Sequence, residues 1–101
     1  MVTVDSTGYF RISRKASKEA GFRVGQRLAV VQDPNHRSSF NIVSSSRVSK
    51  SREALRYSVE KDGRIRVNSN RLNSLGVSRT SKNRSTSPNF KISRGCITVN
   101  I

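Results

Sequence analysis

Acidic residues are scarce in this chain. Its 101 residues hold six Asp and Glu against twenty Lys and Arg, with a single His and a single Cys. Tryptophan is absent, proline occurs twice, and no apolar run approaches the length of a membrane span or a signal-peptide core. Each shortage excludes something. One cysteine cannot close an internal disulfide, and such a chain suits a reducing compartment. Cys96 stands in "CITVNI", where it reads as a small buried apolar residue rather than a reactive thiol. His36 stands in "DPNHRSS", which is turn chemistry, and without a second His or Cys a zinc site has no ligand set. Nucleophilic triads and paired-carboxylate machinery need residue types the chain hardly has. The expectation is a binding protein, not an enzyme, with no cofactor, no metal and no membrane.

Positive charge is what the chain has in excess. The net charge is +14, divided as +4 over residues 1–43 (seven cations, three anions), +3 over 44–56 (four, one) and +7 over 57–101 (nine, two). The basic character is spread along the chain and is not a detachable tail. It exceeds what a domain this size needs for solubility. A polyanionic partner follows, nucleic acid first among them. A location in the cytoplasm, on the nucleoid, is expected. Only 33% of residues are apolar, low for a globular chain. Neither half can bury enough surface alone, so one intertwined unit is expected.

The stretch "VEKDGRIRV" (59–67) echoes "VDSTGYFRI" (4–12). The offset is 55, and it continues without a gap. Val4 matches Val59, Gly8 matches Gly63, Arg11 matches Arg66 and Gly21 matches Gly76. Four identities in one register, two of them glycines, point to an internal duplication. In each copy an alternating segment turns through its Gly into a second alternating segment. Phe10 and Ile12 fall on the inner face and Tyr9 and Arg11 on the outer one; Ile65 and Val67 fall inward, Arg64 and Arg66 outward. The reading is of two hairpins presenting equivalent outward positions.

A short helix follows in each copy. Ser13 is its expected N-cap in the first and Gly21 its stop. Asn68 and Gly76 serve the second, where Leu72 and Leu75 share a face. Gly25 turns the first copy into a strand over 28–31, and "DPNHRSS" leads to a fourth, "FNIVS". In the second copy the polar, cationic run 78–88 reads as a mobile loop before the strands "NFKIS" and "CITVNI", turned at Arg94 and Gly95. Phe10, Phe22, Phe40 and Phe90 all fit core positions. The Ser-rich basic stretch 44–56 reads as a linker, with a helical turn over 52–56. Each copy is thus strand–strand–helix–strand–strand, the first over 1–43 and the second over 57–101.

"VDSTGYFRISRKASKEAGFRVGQRLAVV" resembles the AbrB/SpoVT family of swapped-hairpin DNA-binding domains. That family's motif runs Val-Asp/Glu-x-x-Gly-Arg-apolar-x-Ile-Pro, then a basic helix ending Leu-Gly, then Gly-Asp and a strand. The likeness covers essentially all of 2–43 and 57–101, and two copies in one chain is an arrangement like that of MraZ. It implies a mainly β fold in which two ββαββ repeats interlock as a pseudo-dimeric barrel, acting as a monomer or homodimer, and a DNA-binding transcriptional regulator. The chain departs from the motif in several places. The Arg after Gly is kept as Arg64 but is Tyr9 in the first copy, Ser13 and Asn68 replace the Pro, and Gly-Asp reads Gly25-Gln26. The two copies should therefore contact DNA unequally.

Within the basic excess, Arg11 and Arg66 stand out because they occupy equivalent outward positions, and arginine can fork to a phosphate or a guanine edge. Tyr9, which could stack on a base, and Arg64 sit beside them. Arg14, Lys15 and Lys18 lie on the first helix and Arg71 on the second. Lys82 and Arg84 on the loop, and Arg47, Lys50 and Arg52 on the linker, read as phosphate contacts that add affinity without reading sequence. Double-stranded DNA is the leading partner. RNA is the second, since basic sheets also bind single strands, though such proteins display more exposed aromatics. A protein-docking module of antitoxin type is the third.

Overall fold

Along β2 (Tyr9–Ile12) burial alternates with the pleat: Phe10 and Ile12 are fully buried, Arg11 is exposed and Tyr9 half-buried. A strand with apolar residues on one side only must lay that side on a core. The computed structural model describes residues 2–4, 9–36, 38–49, 54–72, 75 and 89–100. In it β1 (Val2–Val4) pairs antiparallel with β2, and β2 pairs antiparallel with β6 (Ile65–Asn68) to complete a three-stranded sheet. The second sheet has the order β5 (Leu55–Ser58), β3 (Arg27–Gln32), β4 (Ser39–Ser44), β8 (Cys96–Asn100), β7 (Asn89–Ser93), every neighbour antiparallel. The protein is mainly β, with short helices α1 (Arg14–Glu19) and α2 (Ser69–Leu72) and a 3-10 turn at Ser45–Arg47.

Both sheets draw strands from both halves of the chain. Two of the ladders carry the 55-residue offset in their registers. Arg11 lies opposite Arg66 between β2 and β6, and Ile42 lies opposite Ile97 between β4 and β8 (66 − 11 = 97 − 42 = 55). Each ladder thus runs antiparallel about matched positions of the two halves.

One core lies between the sheets. Phe10, Ile12, Ile65 and Val67 come from the smaller sheet; Leu28, Val30, Phe40, Ile42, Ile97 and Val99 come from the larger. The rings of Phe10 and Phe40 meet edge to face at 5.4 Å and 69°, joining the two layers. Burying each such side chain contributes about 1.5–3 kcal/mol. The far side of the larger sheet carries a second, small apolar cluster of Ala29, Val31 and Val48. The run "LAVV" in β3 is buried throughout because both of its faces are covered. The radius of gyration, 12.3 Å, matches the about 13 Å of a compact domain of this length.

The caps follow their expected chemistry. Ser13 Oγ accepts from Ala16 N at 3.2 Å, and Gly21 leaves α1 at φ +82°. Leu72 is buried on α2, and Leu75 packs against the same core. Arg94 and Gly95 form the tight turn between β7 and β8.

Several expectations need correction. The 44–56 linker is shorter than supposed: its helical turn falls at Ser45–Arg47, while Leu55 and Arg56 belong to β5. The second copy therefore begins its first strand before residue 57. β5 makes no hairpin ladder with β6. Turn bonds from Glu60 N to Arg64 O and Gly63 N to Glu60 O survive, but the strand lies along β3, where Leu28 faces Tyr57. Bonds from Val59 N to Gln26 O and from Gly25 N to Val59 O hold it there, and Leu55 and Tyr57 gain core contact that a two-stranded hairpin cannot supply. Phe90 is 36% exposed because β7 is the sheet's outer strand in the described structure. Cys96 is only half-buried, its Sγ 3.8 Å from Thr98 Oγ1 on the outer side of β8. The expected loop over 78–88 lies outside the described residues. Among the described residues, no helix is long and apolar enough to cross a membrane.

Candidate nucleic-acid interface

The pleat that buries Phe10, Ile12, Ile65 and Val67 sends Arg11 and Arg66 to the opposite side, where both are exposed. They are direct partners across the β2–β6 ladder, and Tyr9 is the partner of Asn68 one step along the same face. Like charges set directly opposite in a sheet are unfavourable. Here carboxylates stand beside the arginines. Glu60 Oε2 lies 2.8 Å from Arg66 Nε, and Asp62 Oδ2 lies 3.6 Å from Arg64 Nε. Arg11, Glu60, Asp62, Arg64 and Arg66 together line a small recess on this surface.

The hydrogen bond and charge of Glu60 hold the Arg66 guanidinium protonated above its ordinary range. Both ion pairs are well exposed, with the arginine side chains 62% and 55% accessible. Exposed pairs are worth little and exchange readily for a stronger anion. The hydrogen bond to Glu60 engages Arg66 through Nε, a single donor of a five-donor group. A phosphate competing for the remaining donors meets a site already organised for an oxyanion.

The turn before β6 is tied to α1. Gly63 is buried at φ +84°, and a Cβ built there would stand 2.8 Å from Arg14 Cγ. The aliphatic stem of Arg14 thus crosses the turn that carries Glu60 and Asp62. Lys15 and Lys18 are exposed on the same helix, and Arg71 is exposed on α2. Because β2 and β6 are antiparallel, α1 and α2 leave the arginine pair at opposite ends. Exposed basic residues therefore follow the arginine pair on the helices at both ends of the ladder.

Not every expected contact belongs to it. Arg47 donates from Nη1 to Gly95 O at 3.4 Å and packs on the β7–β8 turn. Lys50, Arg52, Lys82 and Arg84 lie outside the described residues. Glu60 and Asp62 escaped the sequence reading, although their place in "VEKDGRIRV", on the turn leading into two outward arginines, was the available signal. Among the described residues no group of His, Cys, Asp or Glu could hold a metal.

No protein-family model, no curated protein and no solved structure matches this chain.

Proposed function

We propose that the chain is a double-stranded DNA-binding protein, a transcriptional regulator without catalytic activity, that meets DNA through the outer face of β2 and β6. The observation that carries this reading is the Arg11–Arg66 pair. Two exposed arginines face to face concentrate donors that can fork to phosphate oxygens. Arg64 beside the pair, and the exposed Arg14, Lys15, Lys18 and Arg71 on the helices that follow the two strands, would contact neighbouring phosphates.

The matched registers at an offset of 55 support a second layer of the proposal: two ββαββ repeats interlocked as an AbrB-like swapped-hairpin pseudo-dimer. The outer pair would then read two half-sites unequally, with Tyr9 on one side and Arg64 on the other.

Exposed Phe90 favours one competing reading, a single-stranded RNA partner, since an accessible ring can stack on a base. A mobility-shift comparison of duplex DNA, single-stranded DNA and RNA of one sequence decides between them. Tightest binding to duplex is expected. Preference for either single strand, or no binding at all, would overturn the proposal.

A further inference from the structure

The far side of the larger sheet carries a second cationic surface. An open groove of about 1060 Å³ is lined there by Arg27, Arg56, Tyr57, Val48 and the serines 45, 46, 49 and 58. The pleat decides this placement. Leu28 and Val30 of β3, and Leu55 and Tyr57 of β5, pack against the core, so Arg27, Arg56 and Ser58 emerge on the other face. The Arg11–Arg66 pair emerges from the opposite side of that same core.

The chemistry of the groove is one-sided. It combines two guanidinium groups with four serine hydroxyls, and among the described residues no carboxylate lines it. Arg56 donates from Nη1 to Ser45 Oγ at 2.9 Å and to Ser45 O at 3.4 Å, and from Nη2 to Ser49 O at 3.4 Å. These acceptors are neutral. They fix the guanidinium in place and leave its charge uncompensated. Arg27 lies directly opposite Ser58 across the β3–β5 ladder, which sets a cation beside a hydroxyl donor. A held guanidinium, a second cation and serine hydroxyl donors suit phosphodiester oxygens, and the volume suits more than a lone inorganic ion.

We propose that this groove binds the backbone of a second DNA duplex, so that one molecule holds two duplexes on opposite faces. The inference rests on the duplex-binding reading of the Arg11–Arg66 face. It fits the composition, because a single recognition face leaves much of the +14 charge unused.

The test is energy transfer between two duplexes, one labelled with a donor and the other with an acceptor, mixed with the full chain. Single-duplex binding is measured in parallel by anisotropy. The parent should bring the labels together, and excess protein should separate them again by occupying each duplex alone. Arg27→Glu should lower the bridging signal about tenfold while changing single-duplex affinity much less. Ser58→Glu removes no native contact; it sets a carboxylate against Arg27 and should act in the same direction. Circular dichroism checks that both variants are folded. Bridging at parental strength in both folded variants, or no bridging by the parent, overturns the second site. If Arg11→Ala/Arg66→Ala keeps full single-duplex binding while Arg27→Glu loses it, the groove stands and the assigned recognition face falls.

Discussion

Glu60 holds Arg66 at 2.8 Å, while Arg66 faces Arg11 across the β2–β6 ladder. One carboxylate thus sits at the edge of a like-charge pair, on the surface with the highest claim to bind an anion. On the proposed duplex-binding reading, its position makes it an internal competitor for phosphate. Replacing it should improve binding, the reverse of what loss of a structural ion pair ordinarily does. Glu60→Gln is expected to tighten duplex binding several-fold at low salt and to steepen the salt dependence by up to about one unit. Titrations of parent and variant at several salt concentrations measure both. Weaker binding by a folded Glu60→Gln would mean that the carboxylate positions Arg66 productively.

Arg11→Ala and Arg66→Ala should each weaken duplex binding by about 1–3 kcal/mol. Neither should move the thermal midpoint far, since both side chains are exposed. Anisotropy and calorimetry on the same samples separate the two effects.

Binding should follow phosphate neutralisation. If five to eight cations engage, log K falls against log salt with a slope of about −4 to −7. A flat response would detach the basic excess from binding altogether.

Gly63→Ala should destabilise the fold by about 1–3 kcal/mol, because φ +84° is a conformation that alanine rarely adopts. Its Cβ would also press on Arg14 Cγ. In an Arg14→Ala background the steric part disappears and the backbone part remains, so the same substitution should cost less there. A double-mutant cycle by denaturant unfolding gives the difference.

Residues 1–46 and 56–101, expressed apart, should each fail to fold. β2 needs β6, β4 needs β8, and the single core takes side chains from both pieces. Circular dichroism and amide exchange on each fragment make the check; two independently stable fragments would contradict the interlocked arrangement.

Much of the architecture was legible in the chain because it depends on neighbours a few residues away. Alternation assigned Phe10, Ile12, Ile65 and Val67 to the interior and Arg11, Arg64 and Arg66 to the exterior. Ser13 and Gly21 marked the ends of α1 by local hydrogen bonding and backbone freedom. The 55-residue echo identified the positions that prove to face each other. By itself the sequence determined this inside-and-outside pattern, the helix ends and the basic excess. Only the tertiary structure decided which strands pair. β5 left the expected hairpin for β3 because Leu55 and Tyr57 bury more there, and no local signal records that comparison. The same choice set Arg27 beside Ser58 and created the groove, and the turn it left behind brought Glu60 to Arg66. Phe90 stayed exposed for a related reason: alternation gives a residue's face, but burial requires a neighbour, and the outer strand has one only on one side.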